Sequence, residues 1–213
     1  MKPRPAVSIV IPAYNTEKYI ERCINSCLFQ KTTLEYEVVV TDDNSSDATL
    51  EILEDVYSRE ELLNIRHNQD NIGVGLTRNE CIKRAKGRYV FLLDSDDYIH
   101  PFTIDLMYRS LQLLPHVPVT YCDYIYVDDH EQKSRPISAK ERPIACGMMI
   151  SKFLFAQFGL YSDMSIGEER DFHTRLVGNN VDMLHLPLPL YRYRQHDLSI
   201  TSEFETKRSY DCQ

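Results

Sequence analysis

The stretch YVFLLDSDDYIHP, residues 89–101, runs an apolar segment straight into closely spaced carboxylates. They are Asp94, Asp96 and Asp97, with Ser95 between the first two. A short continuous apolar run that ends in polar residues is typical of a strand buried in a parallel sheet. Carboxylates this close repel one another and resist ionisation unless a positive charge compensates them. The stretch therefore predicts a buried strand whose carboxyl end meets a cation.

Strand and helix patterns alternate through the residues that precede this strand. The other strand patterns are VSIVIP (7–12), YEVVVTDD (36–43) and LNIRHN (63–68). Apolar residues recur at helical spacing between them, and Pro12 is expected to end the first strand. Such alternation with short connections predicts an α/β fold, in which a mostly parallel sheet is covered by helices on both faces.

The alternation is lost after Pro101, where the patterns are more varied. We expect a helix near 102–114, a tyrosine-rich strand at 119–129, a strand leading into a helix at 148–158 and a helix at 168–177. Two late strands are expected at MLHLP (183–187) and LYRYR (190–194). No internal repeat or low-complexity linker divides the 213 residues, so a single domain over 1–213 is predicted.

Composition excludes several classes of protein. With 24 Lys and Arg against 32 Asp and Glu, the net charge is -8, and no basic stripe is present to bind a nucleic acid. No apolar run approaches the roughly 18 residues of a membrane helix. The first five residues lack the apolar core of a signal peptide, and the six cysteines lack zinc-site spacing. These features predict a cytoplasmic protein with reduced thiols and no transmembrane segment.

Polar clusters follow each of the four predicted strands. They are Tyr14 and Asn15; Asp42, Asp43 and Asn44; Asn68, Asp70 and Asn71; and Asp94, Ser95 and Asp96. Because the carboxyl ends of parallel strands meet at one edge of a sheet, these clusters predict a shared binding crevice, with solvated loop tips as the alternative. The sequence has no GxGxxG or GxxxxGK[ST] loop. Asp94 and Asp96 instead offer oxygen ligands for a divalent cation that can also bind substrate phosphates.

The sequence resembles the family-2 inverting glycosyltransferases of the GT-A fold. The matching stretches are VSIVIPAYNTEKYIERCINS, VVVTDDNSSDAT, NIGVGLTRNECIKRAKGRYVFLLDSDD and GEERDF, and the likeness runs from Val7 to about Ser202. The resemblance implies a Rossmann-like, mostly parallel sheet flanked by helices, with a nucleotide-binding half (1–100) and an acceptor and catalytic half (101–213). It also implies metal-dependent transfer of a sugar from a UDP-sugar to a hydroxyl acceptor in glycan or cell-surface polysaccharide synthesis.

The resemblance assigns the donor nucleotide to the crevice. In the family the turn after the first strand holds the base, and that turn is here Pro12, Ala13, Tyr14 and Asn15, with Tyr14 stacking on the ring. Asp42, with Asp43 beside it, is expected to accept a uracil N–H, and helix capping is the alternative for 43–47. Gly73 and Arg78 are expected near the ribose and diphosphate, with a surface salt bridge as the alternative for Arg78.

The resemblance also implies a site for Mn²⁺ or Mg²⁺. Asp94, Ser95 and Asp96 match the family's DxD motif, with Asp96 expected to contact the metal directly and Asp94 to bind the ribose or a metal-bound water. His196, in the late segment YRYRQHDLSIT, is a further candidate ligand that would favour manganese, and a solvated loop histidine is the alternative. Arg192 and Arg194 are candidates for the diphosphate, against simple exposure on an edge strand. Asp97 is expected to cap the following turn.

An inverting displacement needs a base that takes the acceptor's proton. The family places this base in a Glu-Asp pair, and this chain has Glu168 and Glu169 there instead. Helical spacing predicts that Glu169 faces the interior while Glu168 and Asp171 point away. Glu169 is therefore the predicted base, with its basicity raised by desolvation. Glu168 is expected to contact the acceptor or to cap the helix.

Two other functions compete with this prediction. The Glu-Glu pair leaves open a nucleotide-sugar-binding protein without efficient turnover. A nucleotidyltransferase would need a Gly-rich basic loop after the first strand, which PAYNTEKY lacks. The sugar is left open, the acceptor is expected to be a glycan or a lipid-linked molecule, and peripheral association at the inner membrane face and a homodimer are further options.

Overall fold

The strands of the described residues, 4–164 and 167–196 of the computed structural model, form one eight-stranded sheet. The first half contributes β1 (Val7–Ala13), α1 (Ile20–Leu28), β2 (Tyr36–Asp42), α2 (Thr49–Tyr57), β3 (Leu63–His67), α3 (Val74–Arg84) and β4 (Tyr89–Leu92). The second half contributes β5 (Tyr98–Ile99), α4 (Thr103–Leu113), β6 (Val119–Val127), β7 (Met148–Ser151), α5 (Lys152–Phe158), α6 (Glu168–Gly178) and β8 (Met183–Arg194). Within the described part of the chain, no helix has the length and apolar character needed to cross a membrane.

The sheet has the strand order β3-β2-β1-β4-β7-β6-β8-β5. Strands β1 to β4 are parallel, as their alternation with helices predicts, so their carboxyl ends meet at one edge. The antiparallel strand β7 then joins β4 to β6, and β6 pairs in parallel with β8. The mixed α/β sheet with flanking helices is confirmed. The division into two functional halves at residue 100 stays a prediction.

Strand β1 continues through Pro12, and the prediction that Pro12 ends it is wrong. The Val10 carbonyl accepts a hydrogen bond from Leu93 of the β4 side, whereas the Ala13 carbonyl accepts one from Asp43 of the β2 side. Because backbone groups alternate sides along a strand, Pro12 faces the β4 side. Strand β4 pairs with β1 only as far as Val10, so the missing N–H of Pro12 removes no bond from the sheet.

The two predicted late strands are one strand, β8. Pro187 and Pro189 argue for a break. Strand β8 nevertheless runs past both prolines, with register shifts against β6 on either side of Asp123, the residue that pairs with Pro189. The two-residue strand β5 has too little pattern for a sequence to reveal. Residues 197–202 of the matching segment lie outside the described residues.

The core lies on both faces of the parallel strands. Every residue of β1 is buried, and α1 buries Ile20, Cys23, Ile24 and Cys27, which recur at helical spacing, against the sheet. Cys81, Cys122 and Cys146 are likewise buried, and the five described cysteines are free. This rigid sheet fixes the positions of the loops at its carboxyl edge.

Candidate active site

Arg78 lies at the centre of a carboxylate cluster beyond the end of β4. Its Nη2 donates to Oδ1 of Asp94 at 2.9 Å, and its Nη1 lies 2.7 Å from Oε1 of Glu169 and 3.8 Å from Oε1 of Glu168. Burial alone would lower the pKa of Arg78, but the attraction of Glu169 and Asp94 outweighs it and holds that pKa well above its usual value. The surface salt bridge considered for Arg78 is wrong, since the side chain is only 1% exposed.

The guanidinium of Arg78 keeps unused hydrogen-bonding capacity. Among the described residues, neither Nε nor Nη1 has an acceptor in hydrogen-bonding geometry, although Nη1 is close enough to Glu169 for an ion pair. A buried donor without an acceptor is costly, so such a group is expected to gain a partner from a ligand. The Arg78 side chain therefore fits an anion that enters the crevice.

Glu168 and Glu169 begin α6 directly after Gly167, whose φ of 87° is in the left-handed region. The prediction that Glu168 points away from the interior is wrong, because Glu168 lies one turn before the buried Phe172 and is itself only 5% exposed. It packs against α3, where a Cβ on Gly75 would lie 2.7 Å from Cγ of Glu168. The absence of a side chain at Gly75 thus makes room for Glu168.

Glu169 has a carboxylate that can be reached from the crevice. Its side chain is 31% exposed and that of Glu168 only 6%, so the predicted contrast, with Glu169 facing the interior and Glu168 pointing away, is reversed. Burial raises the pKa of Glu169 to about 7; Arg78 opposes this shift, and the negative charges of Asp94 and Glu168 add to it. The group can therefore exchange a proton near neutral pH, as a general base must.

Asp96 and His196 form a second polar pair near the same turn. Nε2 of His196 lies 2.9 Å from Oδ2 of Asp96, and the imidazole ring packs on Tyr19 with 4.8 Å between the ring centroids. Nδ1 of His196 is buried without a partner among the described residues. A carboxylate oxygen and an imidazole nitrogen this close suit a divalent cation such as manganese. Asp94 is less available, since both of its oxygens accept hydrogen bonds, from Arg78 and from Cys146.

Strand β8 holds the DSDD turn in place through Asp97. The Tyr191 hydroxyl accepts from the Asp94 N–H at 3.3 Å and donates to Oδ2 of Asp97 at 2.5 Å. The Arg194 N–H donates to the other oxygen of Asp97 at 2.7 Å. The expectation that Asp97 caps the following turn is therefore wrong. Burial, followed by the charges of Asp96 and Asp94, raises the pKa of Asp97 well above its usual value.

The two arginines of β8 already have protein partners. Nη2 of Arg194 donates to Glu131 at 2.8 Å, and its Nε donates to the Asp96 carbonyl at 3.1 Å. Nη1 of Arg192 donates to the Pro189 carbonyl at 2.5 Å. Arg194 therefore borders the DSDD turn, while Arg192 is bound to its own strand. Contact of either side chain with a diphosphate stays a prediction.

The carboxyl ends of β1 and β2 form the other end of the crevice. Tyr14 is 48% exposed, and Asn15, at a φ of 50°, accepts hydrogen bonds from Ser46. Asp42 is buried; its Oδ2 accepts from the Ser45 N–H at 3.0 Å, while its Oδ1 has no partner among the described residues. Asp42 thus retains an acceptor atom for a ligand N–H.

Asp43 has a different role from Asp42. Its oxygens accept from the Asn68 amide at 2.7 Å and from the Ile72 and Gly73 N–H groups at 3.0 and 2.8 Å. It therefore shapes the turn at Gly73, which has a φ of 86° and precedes α3. The N-cap position of α2 is Ala48, and Asp47, just before it, accepts from the Thr49 N–H at 3.0 Å.

Comparison with known proteins identifies the chain's relatives. The family model described as Glycosyl transferase family 2 matches residues 8–167 of this chain. Escherichia coli chondroitin synthase is 42% identical over 106 residues, which are 50% of this chain and 15% of that protein. Staphylococcus aureus poly(ribitol-phosphate) beta-N-acetylglucosaminyltransferase TarS is 43% identical over 103 residues, which are 46% of this chain and 17% of that protein.

The fold is shared with a solved structure. The crystal structure of S. aureus TarS 1-349 in complex with UDP-GlcNAc has a TM-score of 0.79 and 27% identity, and the match covers 92% of this chain and 60% of that chain. The class that this fold defines is the GT-A glycosyltransferases. The chain belongs to glycosyl transferase family 2, and it matches less than a fifth of the length of the two curated relatives named above.

Proposed function

We propose that the chain transfers a sugar from a UDP-sugar to a hydroxyl acceptor, with inversion at the anomeric carbon and with the help of Mn²⁺ or Mg²⁺. The observation that carries the proposal is the buried Arg78, whose Nε and Nη1 have no hydrogen-bond acceptor among the described residues, between Asp94 and the partly exposed carboxylate of Glu169. The proposal is supported by UDP-GlcNAc in the TarS structure and by the names of the two relatives, a chondroitin synthase and a poly(ribitol-phosphate) beta-N-acetylglucosaminyltransferase.

The donor nucleotide would lie along the carboxyl ends of β1, β2 and β4. Oδ1 of Asp42, which lacks a partner, would accept the uracil N–H, and the exposed ring of Tyr14 would stack on the base. The diphosphate would meet Nε and Nη1 of Arg78. The remaining expected donor residues are Pro12, Ala13, Asn15, Asp43, Gly73 and Ser95.

The metal would be held by Asp96 and His196, whose ligand atoms are 2.9 Å apart. A bound divalent cation supplies a Lewis acid that stabilises the negative charge of a departing diphosphate. Asp94 would contact the ribose or a metal-bound water, because Arg78 and Cys146 already bind its oxygens.

Glu169 would act as the base, taking the proton of the acceptor hydroxyl as that oxygen attacks the anomeric carbon. Its side chain is partly exposed, and a pKa of about 7 leaves much of it deprotonated at neutral pH. Glu168, which is buried against Gly75, would support the helix start and so keep Glu169 in position.

The pH dependence of the reaction follows from the raised pKa of Glu169. Below pH 7 the base is protonated, so kcat/KM is expected to fall about tenfold per pH unit, whereas above pH 7 it should level off. The measurement is kcat/KM between pH 5.5 and 8.5, together with UDP affinity over the same range. A flat profile at constant UDP affinity would remove Glu169 as the base.

A second candidate function is binding of a nucleotide sugar without efficient turnover. It is favoured by the 2.7 Å contact between Arg78 and Glu169, because a neighbouring arginine makes a carboxylate a weaker base. We consider it the weaker candidate, since burial of Glu169 outweighs this contact in setting its pKa.

A donor screen tests the proposed function. UDP-Glc, UDP-Gal, UDP-GlcNAc, UDP-GalNAc and UDP-GlcA would each be incubated with the protein and Mn²⁺, and release of UDP would be measured with and without EDTA. We expect hydrolysis of one donor that stops when EDTA removes the metal. Binding of UDP without hydrolysis of any donor would support the second candidate, and no binding of UDP would refute both.

The acceptor would be a glycan or a lipid-linked molecule of a cell-surface polysaccharide pathway. We also propose a cytoplasmic location, with the chain peripheral to the inner membrane face, and a homodimer, which analytical sedimentation would test. The relatives' names support the polysaccharide assignment, since they include a chondroitin synthase and a glycosyltransferase of poly(ribitol-phosphate).

A further inference from the structure

Cys146 lies in the middle of the carboxylate cluster and has no role in the mechanism described above. The residue is only 3% exposed, and its Sγ lies 2.9 Å from Oδ2 of Asp94. Ligand atoms of Asp94, Cys146 and Glu169 all lie within 4.8 Å of one another. The thiol is therefore in direct contact with the proposed donor-binding carboxylate and close to the proposed base.

The direction of the hydrogen bond follows from the chemistry of the two groups. An ionised carboxylate has only acceptor atoms, so the thiol must donate its proton to Asp94. Arg78 donates to the other oxygen of the same carboxylate at 2.9 Å. With a fixed donor on each oxygen, the Asp94 carboxylate has one orientation in the crevice, although its side chain is about one third exposed.

The backbone around Cys146 explains how its side chain reaches Asp94. The Gly147 N–H donates to the Leu92 carbonyl of β4 at 3.1 Å, which ties this segment to the strand that precedes Asp94. Gly147 has a φ of 72°, and a Cβ there would lie 3.3 Å from the Tyr191 ring. The segment is thus held between β4 and β8, with the thiol directed at Asp94.

We propose that Cys146 is a positioning residue, whose thiol orients Asp94 to bind the donor nucleotide and leaves direct metal contact to Asp96. This inference rests on the proposed function. The alternative, a thiophilic metal ion bound by Asp94, Cys146 and Glu169, is disfavoured because the positive charge of Arg78 contacts both carboxylates.

Titration calorimetry with UDP and Mn²⁺ tests this role in three variants. Cys146→Ala removes the donor, whereas Cys146→Ser keeps one. Cys122→Ala is the matched control, since Cys122 is also buried and its Sγ contacts the neighbouring Gly147 carbonyl at 3.5 Å without touching a carboxylate. Thermal unfolding of each variant reports the loss of packing separately from the loss of affinity.

We expect Kd for UDP to rise about tenfold in Cys146→Ala, by analogy with the loss of one hydrogen bond to a charged group. Cys146→Ser should stay within about threefold of the wild type, and Cys122→Ala should lower Tm without changing Kd. The inference is overturned if Cys146→Ala binds UDP as tightly as Cys122→Ala, or if Cys146→Ser loses as much affinity as Cys146→Ala. A wild-type protein that binds no UDP would instead refute the proposed function, and the inference with it.

Discussion

Glu169→Gln is expected to lower kcat about a thousandfold, within the range that general bases contribute, while Kd for UDP changes less than threefold. The substitution preserves the size of the side chain and removes its ability to accept a proton. UDP affinity should persist because the proposed nucleotide contacts belong to Tyr14, Asp42 and Arg78. The measurements are steady-state transfer, slow donor hydrolysis and calorimetric UDP binding.

Glu168→Gln is the matched control for this prediction. Glu168 is adjacent on α6 and also near Arg78, but it is buried and 3.8 Å from the guanidinium, so it is not reached from the crevice. In the Glu168→Gln variant we expect kcat to fall less than tenfold and Tm to fall slightly. A thousandfold loss in Glu168→Gln with an active Glu169→Gln would mean that the base is the other carboxylate.

Arg78→Met is expected to lower the free energy of unfolding by about 3–5 kcal/mol at pH 7.5, the cost of leaving buried charges without their partner. The change keeps an unbranched side chain but leaves Asp94, Glu168 and Glu169 to repel one another. Protonation relieves that repulsion, so the loss should shrink as the pH falls toward 5. Urea unfolding at several pH values measures both effects.

Lys83→Met gives the control on the same helix. Lys83 pairs with Glu80 at 2.7 Å, but both side chains are largely exposed, so we expect a loss below about 1 kcal/mol. If Arg78→Met were no more destabilising than Lys83→Met, the guanidinium would not be the cation that compensates the cluster. A loss that grew at low pH would contradict the assigned signs.

Arg78 also changes the interpretation of the DSDD stretch. The close carboxylates predict a divalent ion as the compensating charge, yet a cation of the protein itself contacts Asp94. Asp97 is held separately, by Tyr191 and Arg194 of β8. The stretch is therefore compatible with the folded chain before any ligand binds, and the proposed metal would add to a cluster that Arg78 already stabilises.

The sequence allowed prediction of the features that depend on local patterns. The alternation of apolar periods gave β1 to β4 and their helices, and parallel pairing then placed the polar clusters at one edge. The buried face of α1 followed from its 3.6-residue period. Each of these depends on residues that are close in the chain, which is why periodicity was enough.

The features that were missed depend on contacts between distant segments. Glu168 is buried because Gly75 of α3 leaves room for it. A helical projection of α6 cannot predict this burial, because it includes only the residues of α6. Asp97 binds β8, and Cys146 reaches Asp94 through a loop clamped between two strands. Strand β1 runs past Pro12 because β4 no longer pairs with β1 at that position. Such contacts require the tertiary structure.

The most direct test of the account is calorimetric titration of UDP with and without Mn²⁺, in the wild type and in Asp96→Ala. The account predicts that Mn²⁺ tightens UDP binding to the wild type by at least tenfold, because the ion would join Asp96 and His196 to the diphosphate. In Asp96→Ala the same addition should change Kd less than threefold. The proposed site would be contradicted if Mn²⁺ left Kd for UDP unchanged in the wild type, or if it lowered Kd equally in the wild type and in Asp96→Ala.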